Sequence, residues 1–199
     1  MPETVDAVVI GAGQNGLVAA NTLADAGLDV LILEEQAEPG GAVRSAELFP
    51  GYCSDMFSAF YPLAVASPAM RRLDLESHGL RWSHAPVVLG HPRSPMDEDP
   101  VLLHPDPERT AEQLRRYHRA DGDAWMRTVE EWHRLREPLL EALLAPFPPV
   151  RAGGRLVRAV GRGDLLRLIR FMMLPVRRMG RELFGSEQAR LMFLGNAVH

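Results

Sequence analysis

Val5-Asp6-Ala7-Val8-Val9-Ile10-Gly11-Ala12-Gly13-Gln14-Asn15-Gly16-Leu17 is the stretch that decides how this chain folds. Its first residues are short, apolar and largely β-branched and run directly into glycine, as expected of a parallel strand buried on both faces. From Asn15 to Ala26 the apolar residues Leu17, Val18, Ala20 and Leu23 recur at helical spacing, and Gly27 offers the left-handed stop. Asp29-Val30-Leu31-Ile32-Leu33 is a second buried-strand pattern. Strand, helix and strand in so short a span predict a right-handed βαβ crossover.

Within this unit Gly11-Ala12-Gly13-Gln14-Asn15-Gly16 is a G-x-G-x-x-G motif in the context that gives it meaning, after a strand and at a helix start. Gly11 permits the tight turn, Gly13 lets a pyrophosphate approach the backbone, and Gly16 lets helix and strand pack closely. The helix amino terminus then directs unpaired N–H groups and the positive end of its dipole at phosphates. Glu34, with Glu35 beside it, ends the second strand. A carboxylate there accepts hydrogen bonds from two ribose hydroxyls and repels a 2′-phosphate, which argues against NADP. The unit alone does not separate FAD from NAD. Beyond it, Glu38-Pro39-Gly40-Gly41 reads either as a paired-glycine loop approaching the phosphates from the other side, with Arg44 as counter-charge, or as a plain turn with Arg44 in solvent.

Further along, the Gly-, Pro- and aromatic-rich residues from Glu38 to Pro62 read as loops, and Ser67-Pro68 as the cap and first position of a helix to about His78. Pro86 to Gly90 and Val101 to His104 are strand candidates for a hairpin with a long loop. Asp106-Pro107-Glu108 opens a helix to about Arg119, and Asp121 or Asp123 caps a longer one through Leu139. Pro146, Pro148 and Pro149 break the chain, and Leu156 to Leu174, Val176 to Phe184 and Ser186 to about Val198 read as helices. The expected fold is α/β: an incomplete Rossmann-like βαβ unit in residues 1–80, then a mainly helical α+β cap region in 81–199.

Composition excludes several chemistries. All 22 basic residues are arginine, so a lysine Schiff base and a P-loop lysine are ruled out. Cys53 is the only cysteine, which rules out an intramolecular disulfide and a thiolate-rich metal site and leaves a small, half-buried packing residue. His78, His84, His91, His104, His118, His133 and His199 are scattered without ligand or triad spacing, so no metal ligand and no catalytic side chain is nominated. The first residues lack a basic run followed by an apolar stretch, and a cytoplasmic protein is expected. Residues 1–150 carry 12 Arg against 23 acids, and residues 151–199 carry 10 Arg against 3. The basic segment lacks the aromatic interleaving of a nucleic-acid platform, so no nucleic-acid partner is expected. Nine arginines among the apolar residues of 151–181 suit either peripheral contact with an anionic membrane or a cap helix whose apolar stripe packs inward.

The residues Asp6 to Leu17, Glu34, Pro39-Gly40-Gly41-Ala42 and Gly51-Tyr52-Cys53-Ser54-Asp55 resemble the FAD-dependent amine oxidase and phytoene-desaturase superfamily. Leu73-Asp74-Leu75 and His78-Gly79-Leu80 extend the likeness. It is closest to the phytoene-dehydrogenase-like branch that includes carotenoid ketolases and the pyridine nucleotide-disulfide oxidoreductase domain-containing protein 2 group. The resemblance implies FAD as cofactor, with Gly11, Ala12, Gly13, Gln14, Asn15 and Gly16 at the pyrophosphate and Glu34 at the ribose. Gly40, Gly41, Arg44 and Ser45 would line its other side. Many relatives carry Arg directly after the glycine pair, where this chain has Ala42, so Arg44 is the nearest basic side chain. The resemblance also implies hydride abstraction from a C–H bond of an apolar, carotenoid-like substrate, and a considerably longer parent protein. The residues leave two other readings open: a module holding NAD or ADP-ribose without redox chemistry, and an interaction protein with a remnant βαβ unit.

Overall fold

The computed structural model describes residues 4–58, 60–161 and 163–196, so Ala197, Val198 and His199 at the end of the expected last helix lie outside the described residues. The contacts separate into two compact units, one ending at Arg81 and the other beginning at Trp82.

In the first unit β1 (Ala7–Ile10) pairs in parallel with β2 (Val30–Leu33), and α1 (Gln14–Asp25) crosses between them. Gly27 takes φ 88° and its N–H caps the Ala24 carbonyl at 2.9 Å, which is the glycine stop that the sequence predicts. A Cβ on Gly16 would overlap the Gly11 carbonyl oxygen and lie 3.5 Å from Val9 Cγ1, so α1 rests directly on β1. Strand alternation then turns Val8 and Ile10 to the opposite face. Ile10 is 86% exposed there, and Val8 and Leu33 are also exposed, so β1 is covered on one face rather than two.

Residues 45–55, expected as loop, form a hairpin of β3 (Ser45–Phe49) and β4 (Tyr52–Asp55). The turn is Pro50-Gly51, with Gly51 at φ 81°: proline supplies one turn dihedral and glycine the positive one. Cys53 sits on β4 and is exposed, not half-buried. Two short helices follow, α2 (Pro62–Ala66) and α3 (Pro68–Arg72), the second capped by Ser67 Oγ, which accepts the Met70 N–H. It stops six residues short of His78, because Asp74 adopts φ 46° and the chain continues in single turns to Gly79.

In the second unit the expected hairpin is present as β5 (Leu89–His91) against β6 (Val101–Leu103). Its loop is held by Arg93 on Asp97 at 2.9 Å, a pairing that keeps the Asp97 carboxyl well below the usual range. The helix α4 (Pro107–Tyr117) is capped by Asp106, which accepts the Glu108 N–H at 3.0 Å. Gln113 on its inner face bridges to β6, accepting from Leu102 N–H and donating to the Pro100 carbonyl. The long α5 (Arg119–Leu144) follows, then α6 (Val150–Val160), α7 (Leu165–Met173), α8 (Val176–Leu183) and α9 (Glu187–Asn196). The single helix expected over 156–174 is instead two, separated at Gly161 with φ 79°. Val101, Leu114, Ala124, Phe184, Ala189 and Met192 form the core.

Asp121 does not cap its own helix, as expected from sequence, but a distant one. It lies in the first turn of α5, 1% exposed, and accepts from Gly185 N at 2.7 Å, Ser186 N at 2.8 Å and Ser186 Oγ at 2.5 Å. Ser186 Oγ in turn accepts the Ala189 N–H at 3.3 Å and so caps α9. Burial pushes the Asp121 carboxyl up, but the Ser186 hydroxyl, the two amides and the nearby His118 pull harder, and its pKa falls below 3.8. A depressed carboxylate stabilises the fold above its ordinary pKa, and that stability disappears as pH falls through the folded value.

Asp121→Ala is therefore expected to lower the stability of the second unit by about 1–3 kcal/mol, because three part-buried donors lose their acceptor; thermal melts check this. Asp121→Asn is expected to flatten the acid-side loss of stability below about pH 4, read as a smaller change in melting temperature over that window than the parent shows. Gly16→Ala is expected to cost about 1–3 kcal/mol in the first unit through backbone displacement, measured by denaturant unfolding.

Candidate nucleotide-binding site

Gly11 leaves β1 with φ 93° and donates its N–H to the Leu33 carbonyl at 2.7 Å, which joins the turn to the end of β2. Gly13 is the N-cap of α1 in extended conformation, with no side chain hydrogen-bonded to the helix start and no acid in its first turn. The first amides of α1, at the positive end of its dipole, therefore have no capping side chain. Gln14 and Asn15 stand exposed on that first turn, and Ala12 is buried beneath it.

The paired glycines approach this turn from outside. Gly40 N–H donates to the Ala12 carbonyl at 2.8 Å, and Gly13 and Gly40 form a parallel bridge. Gly41 has φ 57°, and a Cβ added to it would lie 2.9 Å from Gly13 Cα. The pair thus brings its backbone against the phosphate turn itself, which explains why two glycines stand here and why a larger residue at Gly41 would force the segments apart. A 3₁₀ turn over Gly41–Val43 then leads to Arg44.

Glu34 joins the two parts. Its Oε2 accepts the Ala12 N–H at 2.5 Å and its Oε1 the Gln36 N–H at 2.9 Å. The Gln36 and Ala12 amides, with a smaller contribution from the Arg44 charge, hold its carboxyl below the ordinary 4.5 against an opposing effect of burial. An ionised carboxylate offers about four acceptor positions, so two amides leave room for ribose hydroxyls. Sequence reasoning placed Glu34 at the end of the strand. It did not reveal that the same carboxylate braces the glycine turn. Glu35 is exposed beside it.

Arg44 lies 5.9 Å over the Phe57 ring and makes no ion pair among the described residues. The Ser45 hydroxyl donates to the Asp55 carboxylate, which ties the start of β3 to the end of β4 and gives Ser45 a structural partner. Among the described residues there is no group of three His, Cys, Asp or Glu side chains placed to hold a metal ion.

The residues fit a dinucleotide: an uncapped helix terminus, glycines where side chains would intrude, and a carboxylate at the strand end. The family described as NAD(P)-binding Rossmann-like domain matches residues 9–73. Over 195 residues, 89% of this chain, the sequence is 34% identical to pyridine nucleotide-disulfide oxidoreductase domain-containing protein 2 of Rattus norvegicus. Over 135 residues, 68% of this chain, it is 31% identical to one of the limonene dehydrogenase polypeptides of Castellaniella defragrans. A shorter match, 51% over 47 residues, is to digeranylgeranylglycerophospholipid reductase of Methanosarcina mazei. The aligned part spans 30%, 24% and 12% of these proteins respectively. Fold and matched segment together give residues 9–73 a Rossmann-like fold.

Proposed function

We propose that this chain supplies the cofactor-binding part of a cytoplasmic FAD-dependent oxidoreductase of the phytoene-dehydrogenase-like type, acting on an apolar small molecule. The observation that carries the reading is the Ala12–Glu34 contact, which sets a ribose-accepting carboxylate beside a phosphate-accepting helix terminus. The relatives' names support redox chemistry. Two of them also name isoprenoid substrates, limonene and a digeranylgeranyl lipid, which supports the apolar substrate.

The following roles fit that reading. The amides at the start of α1 bind the pyrophosphate, with Gly13 keeping a side chain out of its way, Gly11 making the turn and Gly16 letting α1 rest on β1. Glu34 orients the adenosine ribose and discriminates against a 2′-phosphate by charge repulsion. Arg44, close enough to lower the Glu34 pKa, provides a counter-charge on the far side of the loop. Residues 81–199 contribute the substrate-covering region. FAD held there would supply the oxidant that removes a hydride from a substrate C–H bond, with a proton lost to solvent to leave a double bond or an imine.

The purified chain titrated with FAD is expected to show flavin bands near about 375 and 450 nm that remain with protein through desalting and release FAD on acid treatment. Binding of NAD or ADP-ribose without flavin bands would instead favour a nucleotide module without redox chemistry. Glu34→Ala is expected to weaken FAD binding at least tenfold, about 1.4 kcal/mol, measured by flavin fluorescence quenching, with Glu34→Gln intermediate because it retains an acceptor oxygen.

A further inference from the structure

The second unit carries a surface that the nucleotide site does not use. On α7, Leu165, Leu168, Ile169, Met172, Met173 and Leu166 form one apolar stripe at helical spacing; Leu165 and Leu168 are half-buried, and the other four are exposed, Leu166 at 77% and Met173 at 79%. Arg170 borders one edge of that stripe and Arg167 lies behind it. On the preceding helix Val150 and Val157 are also exposed. Beyond the Leu174-Pro175 corner, Arg177, Arg178 and Arg181 line a shallow open hollow with Pro175 and Glu182.

The charge around this apolar arc is one-sided. Residues 151–181 hold nine Arg and a single acid, Asp164. Arg155 pairs with Glu141, Arg167 with Asp164, and Arg170 and Arg178 with Glu182. Among the described residues Arg151, Arg158, Arg177 and Arg181 have no carboxylate partner. An inward-packed cap helix would hide its apolar stripe, and α7 has no buried residue. No helix of the described residues is long and apolar enough to cross a membrane, so the surface suits contact from one side.

We propose that α6 to α8 form a docking surface for an anionic phospholipid membrane. Leu166, Ile169, Met172 and Met173 enter the interface between headgroups and acyl chains, and Arg177, Arg181, Arg151 and Arg158 bind headgroup phosphates. Charge complementarity selects this occupant over an apolar protein partner: a segment with nine arginines against one acid and an exposed apolar stripe matches a lipid leaflet, whose surface is anionic and whose interior is hydrocarbon. The inference is independent of which nucleotide the first unit holds.

The test is co-sedimentation of the intact chain with phosphatidylcholine vesicles, with and without phosphatidylserine, at low and high salt. Binding is expected only with phosphatidylserine, and is expected to fall as salt shortens the Debye length from about 10 Å to about 3 Å. The pair Met172→Glu with Met173→Glu, and separately Arg177→Glu with Arg181→Glu, are each expected to reduce partitioning at least about tenfold. Arg109→Glu, an exposed charge reversal on α4, serves as the control and is expected to reduce it far less. Circular dichroism confirms that these exposed positions leave the fold intact. Absence of binding at low salt overturns the proposal, as does an equal loss in the Arg109 control. Self-association without lipid, dispersed by the methionine substitutions, would assign the face to a second copy and overturn it too.

Discussion

The first unit depends on a steric constraint: three backbone segments must meet with no side chain between them. The helix α1 reaches β1 only because Gly16 has no Cβ to strike the Gly11 carbonyl, and the 40–41 loop reaches the turn only because Gly13 and Gly41 are bare. The Glu34 carboxylate then fastens the assembly by accepting from Ala12 and Gln36. The constraint that packs the unit is also what makes it a site. Removing side chains for close packing exposes amides, and amides at a helix start attract anions.

The second unit is organised by a buried charge instead. Asp121, in the first turn of α5, collects the amides of Gly185 and Ser186 and the Ser186 hydroxyl, thereby fixing the start of α9 from sixty-five residues away. The aromatic pair Phe184 and Phe193, with centroids 5.8 Å apart, packs beside this junction. Helix α7, by contrast, has no buried residue. Polar and apolar contacts in this unit thus coincide in the hairpin, α4, the start of α5 and α9.

The local elements were legible where a single residue type supplies the physics. Gly27 ends α1 and Asp106-Pro107 starts α4, both through backbone preferences written into those residues. The hairpin at 45–55 was nonetheless missed as a hairpin, because its strands are short and lack alternation, and only pairing makes them strands. The helix from Ser67 was read too long because nothing in the residue type of Asp74 announces a left-handed conformation. Glu34 was legible as the acid ending the second strand, but its bond to Ala12 joins residues twenty-two positions apart. Asp121 was misread for a related reason: an acid near a helix start looks like that helix's own cap, and only long-range folding brings Gly185 and Ser186 to it.

The sequence by itself determined the βαβ unit, the glycine turn and the acid at the end of the second strand, because each rests on backbone preferences or residue chemistry acting over a few neighbours. Tertiary structure alone decided that Glu34 braces the turn, that Gly40 and Gly41 pack on Gly13, and that Asp121 caps α9. It also decided that the apolar arc of α7 faces outward. Periodicity places apolar residues on one side of a helix, but which side finds a partner depends on segments far away in the chain, and that information is not local.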